Sequence, residues 1–276
     1  MDSSSVYHAS APSSSVQKFT TVDLIDACYG NNGGKIDDKA SAQVEKIVCA
    51  GFTGDINAYP TGWTLTPLMQ AGMTGTSSMV KILIRAGANV NLRLAGSGID
   101  FIDALQVAAI FGNHEVITEL VNAGANVFQA TSLGRNALHL AAQYGHHRAV
   151  SVLVNLYGAH IDLLDVTHKS ALRLACFIGE TECAQVLVAA GANPFSILGF
   201  DRTSIECARL MGHHSTALVI ESMLPSREVA LGHLADIAEA TGLIPDLADV
   251  VVYHLCVYSE EHDGLANEYL EYGRAA

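Results

Sequence analysis

Apolar positions along the chain recur at helical spacing in short runs, each run closed by a glycine. In Asn136-Ala137-Leu138-His139-Leu140-Ala141-Ala142-Gln143-Tyr144-Gly145 they describe a short amphipathic helix, and Gly145 supplies its stop. A second helix follows, with Val150, Leu153 and Val154 on one face and Gly158 at its end. Neither helix buries its apolar face alone, so such units must stack on one another.

The same landmarks recur along the chain. Leu68, Leu105, Leu138, Leu172 and Ile205 are spaced 37, 33, 34 and 33 residues apart. Each is followed seven residues later by a glycine, at Gly75, Gly112, Gly145, Gly179 and Gly212. The first four of these are followed 12 or 13 residues later by Gly87, Gly124, Gly158 and Gly191. Self-similarity at this period is the mark of a repeat architecture.

Thr66-Pro67-Leu68, Ala137-Leu138-His139-Leu140-Ala141-Ala142 and Ala86-Gly87-Ala88-Asn89-Val90-Asn91 carry a specific resemblance. The chain resembles the ankyrin-repeat family over roughly residues 22–224. The resemblance implies an all-α solenoid of stacked helix-turn-helix units joined by hairpin loops, with a C-terminal helical extension. The expected organisation is a Ser-rich tail at 1–20, a degenerate capping repeat at 21–60 and repeats at 61–97, 98–131, 132–165 and 166–199. A partial repeat at 200–224 and a helical cap or docking segment at 225–276 complete it. The Thr-Pro-Leu-His motif is nowhere intact: Met69 replaces its His in one unit and Ala137 its Pro in another. The second repeat also carries four extra residues, because Asn91 to Leu105 spans 14 where the corresponding later intervals span 10. Insertions in such arrays fall in loops, often on the binding face.

Composition narrows the function. Half of the 276 residues are hydrophobic and 16% are charged, which excludes disorder as the main state. With 15 Lys and Arg against 28 Asp and Glu, the net charge is −13, and a nucleic-acid partner is not expected. No apolar run approaches the roughly 18 residues of a membrane helix. Six cysteines without a C-x-x-C pair, and an N-terminus without a basic or apolar stretch, point to a reducing compartment and cytoplasmic residence.

Catalytic chemistry finds little footing. Gly30-Asn31-Asn32-Gly33-Gly34-Lys35 looks like a phosphate loop, but Tyr29 and Ile36 stand where Gly and Ser or Thr are required. The doublets His146-His147 and His213-His214 sit at one position of two different units, with a whole unit between them, so they do not converge on a metal. His146 and His213 match the start of the family's second helix, a structural role, as does His139 for the hairpins. The expectation is no enzyme, no metal and no cofactor.

A protein partner is the expectation instead. The resemblance implies contact through the hairpin tips and the concave-facing ends of the first helices. The pairs before the inter-helix glycines are Met73-Thr74, Ile110-Phe111, Gln143-Tyr144, Phe177-Ile178 and Leu210-Met211, and eight of these ten are apolar or aromatic. An apolar stripe in an exposed groove marks an interaction site. The competing expectation is that some of these side chains fill space between units, the residue just before the glycine above all. Trp63, Phe101 and Phe200 are placed near the tips, and Arg135, Lys169 and Arg202 are cations suited to an acidic motif. These features predict an adaptor or scaffold that grips a peptide or helix, or else a structural subunit buried in a larger assembly.

Overall fold

The computed structural model describes residues 19–29, 38–50, 52–59, 65–96, 99–196 and 202–224. The helices expected in 225–276, nearly all of the tail at 1–20, the glycine-rich loop at 30–34, Trp63 and Phe200 lie outside these residues. The described chain divides into a unit that ends at Tyr157 and another that begins at Gly158.

The first unit holds four helix pairs: α1 (Thr21–Tyr29) with α2 (Asp38–Cys49), α3 (Pro67–Thr74) with α4 (Ser77–Arg85), α5 (Ala104–Ile110) with α6 (His114–Asn122), and α7 (Ala137–Gln143) with α8 (His147–Tyr157). First helices stack in the order α1, α3, α5, α7, and second helices in the order α2, α4, α6, α8. The second unit repeats the arrangement with α9 (Ala171–Ile178) and α10 (Thr181–Ala189), then α11 (Ser204–Leu210) and α12 (His214–Met223); here α9 packs on α11 and α10 on α12.

Helices of seven to twelve residues are marginal in isolation, so capping and packing must hold them. Five first helices begin on a side-chain cap. Thr66, Asp103, Asn136, Ser170 and Thr203 each accept a hydrogen bond from the backbone N–H three residues on. Asp103 with Gln106 and Thr203 with Glu206 close full capping boxes. Behind the caps, Leu68, Leu105 and Leu138 are buried in the first unit and Leu172 and Ile205 in the second. Burying each such side chain contributes about 1.5–3 kcal/mol. The second helices bury one face, for example Val116, Ile117 and Leu120 of α6.

At Gly75, Gly112 and Gly179 the turn between the two helices of a repeat needs its glycine for space as well as for a left-handed backbone. Gly112 has φ +73, and a Cβ there would fall 2.5 Å from His146 Nδ1 of the next repeat. The Gly75 turn is closed by Asn113, whose Nδ2 donates to the carbonyls of Gly72 and Met73 at 2.7 and 2.9 Å.

One local feature departs from the all-helical expectation. The four extra residues of the second repeat let the loop fold as a short antiparallel ribbon, β1 (Leu94–Gly96) paired with β2 (Ile99–Ile102). Leu94 pairs with Ile102, and both are buried at its base, which anchors the ribbon. The repeats themselves are all helical.

Candidate protein-binding face

The end of each first helix determines what the chain presents. In α5 and α7 the last helical turn buries Ala108, Ala109, Ala141 and Ala142, and the next residues, Phe111 and Tyr144, cap the helix at φ −94 and −95. Both side chains stand out of the packed layer: Phe111 is 50% exposed and Tyr144 51%. Met73 and Ile110, two residues before their glycines, are half-buried, as is Gln143. At these two helices the residue two before the glycine is the more buried one, because the chain has already left the helix at Phe111 and Tyr144; there the expectation that the residue next to the glycine packs inward is reversed.

In the second unit Phe177 and Ile178 of α9 are both exposed. So are Leu210 at 54% and Met211 at 47%, at the end of α11. Lys169 places its ammonium 5.0 Å from the centre of the Phe177 ring, a cation–π arrangement worth about 0.5–1 kcal/mol at an exposed site. Arg135 of the first unit is half-buried, and its guanidinium donates to Gln143 Oε1 at 2.7 Å, next to Tyr144. Arg202 is exposed, and its carbonyl accepts from Arg173 Nη1 at 2.6 Å. Of Phe101 only the backbone, in β2, is described, and Trp63 and Phe200 fall outside the described residues.

The hairpin tips are tied by a ladder of amide and carboxylate acceptors. Asn57 Oδ1 accepts from the N–H of Asn89 at 2.7 Å, and Asn91 Oδ1 from that of Asn126 at 2.8 Å. Within the second unit the Asp162 carboxylate accepts from the N–H of Asn193. The corresponding position of the second repeat holds Phe128, whose ring meets Tyr157 edge-on at 5.3 Å. Tyr157 is buried and its hydroxyl donates to the Val127 carbonyl.

Several exposed apolar residues near the tips, among them Phe128, Leu133 and Val166, carry no periodic signal that marks them in the sequence. Their positions in the repeat are variable, and only the three-dimensional arrangement shows which way they face.

Several titratable groups among the described residues are taken up by packing and structural bonds. Burial pushes the thiols of Cys28, Cys176 and Cys183 up to about 12, so they stay protonated and pack as small hydrophobes. Burial likewise raises the Asp103 carboxyl to about 6, against the opposing hydrogen bond from the Gln106 N–H and the charge of Arg93. His146 sets Nε2 at 2.7 Å from the Ile110 carbonyl, so that nitrogen carries a proton and points into a structural bond. Among the described residues no group of three or more His, Cys, Asp or Glu is placed to hold a metal ion. Among the same residues no helix is long and apolar enough to cross a membrane.

Comparison with known families agrees with this geometry. A family model described as Ankyrin repeats (3 copies) matches residues 105–197, and one described as Ankyrin repeat matches residues 65–93. No curated protein matches the chain. Stacked helix pairs, capped first helices, tied hairpin tips and these two matches together identify ankyrin repeats in the chain, over residues 65–93 and 105–197.

Proposed function

We propose that the chain is a non-catalytic adaptor or scaffold that binds a peptide or helix of another protein on the first-helix ends and hairpin tips. Ankyrin repeats are in general protein–protein interaction modules. The observation that carries the reading is a large exposed apolar side chain at the same repeat position in each unit: Phe111 and Tyr144 in the first, Ile178 and Met211 in the second. Exposed aromatic and methionine side chains carry much of the burial at interface cores. The helices beneath them are short, capped and packed, so docking orders little that was mobile and costs little entropy. Arg135, Lys169 and Arg202 at the rim favour a partner with acidic residues beside its apolar anchors. The net charge of −13 argues against nucleic acid, and protonated buried thiols fit a cytoplasmic setting.

The test is capture from native cell extract by the immobilised chain, wild type against Phe111→Asp/Tyr144→Asp/Phe177→Asp. Loss of a captured protein, with unchanged circular dichroism, supports the reading. A folded variant that keeps its partner overturns it.

A second reading, a structural subunit permanently buried in an assembly, draws on apolar residues exposed on the second helices of each unit, Leu156 of α8 in the first and Leu218 and Met223 of α12 in the second. Such a subunit self-associates when isolated, whereas an adaptor sediments as a monomer.

A further inference from the structure

The second unit distributes its charge unevenly. From Gly158 to Leu224 its Lys and Arg residues are Lys169, Arg173, Arg202 and Arg209. Arg173 and Arg209 lie on α9 and α11, and Lys169 and Arg202 in the loops entering those helices; α10 and α12 carry none. Arg173 is buried and donates to the Arg202 carbonyl, and Arg209 pairs with Glu221 of α12 at 2.7 Å, so Lys169 and Arg202 are the cations that share a layer with the exposed Phe177, Ile178, Leu210 and Met211. Carboxylates of the same layer are turned to backbone donors: Asp165 accepts from the N–H of Thr167 and Lys169, and Glu206 from that of Thr203. The face thus offers apolar anchors with positive charge at their margin.

The chain itself carries a segment of the complementary chemistry. Residues 225–276 hold ten carboxylates against two arginines, a net of −8. Their apolar residues are interleaved with the acids, as in Glu260-Glu261-His262-Asp263-Gly264-Leu265 and Glu268-Tyr269-Leu270-Glu271-Tyr272. The segment begins two residues after the end of α12, within the same unit. Reach does not limit it: twenty residues extend to about 66 Å, whereas a helix the length of α9 is about 12 Å long.

We propose that residues 225–276 occupy the first-helix face of the second unit as an acidic, apolar pseudo-ligand that an outside partner must displace. The proposal rests on the reading of this face as a docking surface and names its resident occupant. Tethering raises the effective concentration of the segment to about the millimolar range. A weak self-contact therefore competes with a free partner, and partners of higher affinity or higher local concentration are selected.

The test uses the full chain with the photo-reactive p-benzoylphenylalanine in place of Phe177 or, separately, Leu210, and with Leu218 of α12 as the control position. After irradiation at high dilution, cross-linked peptides are mapped by mass spectrometry. Intramolecular links from positions 177 and 210 to residues 246–272 are expected, several-fold stronger than from 218. Glu260→Lys/Glu261→Lys/Asp263→Lys/Glu268→Lys/Glu271→Lys should weaken them several-fold, as should 1 M salt on the unreversed chain, where the screening length falls to about 3 Å. Links that are absent, equally strong from position 218, formed only to a second copy, or indifferent to salt overturn the proposal. If links fail while Phe111→Asp/Tyr144→Asp/Phe177→Asp still loses its partner, the docking reading stands and self-occupancy alone falls.

Discussion

His146 reaches back across one repeat to Ile110: its Nε2 donates to the Ile110 carbonyl at 2.7 Å, and its ring fills the space a side chain on Gly112 would need. One imidazole thus satisfies a carbonyl at the end of a first helix and plugs the turn that follows it. The second unit uses the same device, with the His213 ring against Gly179.

Gly112→Ala should accordingly cost more than Gly124→Ala. Both glycines have positive φ, +73 and +88, so both variants carry a backbone penalty of about 1 kcal/mol. At Gly124 nothing lies within 4 Å of the added methyl, whereas at Gly112 the methyl meets the His146 ring. Urea unfolding is expected to place Gly112→Ala about 1–2 kcal/mol below Gly124→Ala, in the range of overpacking. Equal midpoints would show that the ring moves aside freely.

Asn91 joins two hairpin tips, accepting from the N–H of Asn126 and donating from Nδ2 to the Gly124 carbonyl at 3.0 Å. Asn91→Ala removes both bonds, and the expected loss is about 1 kcal/mol, because the site is exposed and water replaces part of each. Asn91→Asp keeps the acceptor and should fall between. Hydrogen exchange at the Asn126 amide reads the acceptor directly: it should quicken in the Ala variant and stay slow in the Asp variant.

Asp103 makes stability depend on pH in a definite direction. Burial raises its folded pKa to about 6, above the ordinary carboxylate value of about 4 in the unfolded chain. The folded state therefore binds the proton more tightly. Its contribution to stability is fully present below about pH 4 and is lost as pH rises through about 6. Asp103→Asn keeps an oxygen to cap α5 and has no charge to bury. Relative to wild type it should gain up to about 2 kcal/mol at pH 7, with the difference vanishing below about pH 4. Thermal unfolding at pH 3.5 and 7 decides it, and a difference of the opposite sign would contradict this account.

The fold was legible because its signals are backbone signals. Glycines at fixed offsets mark left-handed turns, and leucines at a fixed period mark buried helix faces; both survive heavy change elsewhere in the chain. The Thr-Pro-Leu-His position was harder to read, since Met69, Gln106, His139, Arg173 and Glu206 share no residue type. The structure shows related work done by different groups. Gln106 Nε2 donates to the Gln129 carbonyl at 2.8 Å and Arg173 Nη1 to the Arg202 carbonyl, each tying a first helix to the loop ahead. The ribbon in the second repeat escaped notice because a four-residue excess sets the length of a loop but not its pairing.

The candidate face was legible only in part. Composition identified the apolar pairs before the glycines, but periodicity could not say which member faces out. At Phe111 and Tyr144 the answer depends on where the helix ends, a difference of one residue that propensity does not resolve. Exposed Phe128 follows from a substitution in the ladder of tip acceptors, visible once Asn57, Asn91 and Asp162 are seen to share its position.

The most direct test of the central claim, that partners dock on the first-helix ends, is hydrogen exchange on the full chain with and without its captured partner. The account predicts slowed exchange at residues 107–112 and 140–145 of the first unit and at 174–179 and 207–212 of the second, with α6, α8, α10 and α12 unchanged. Protection confined to those second helices would contradict it and assign the interface to the opposite layer.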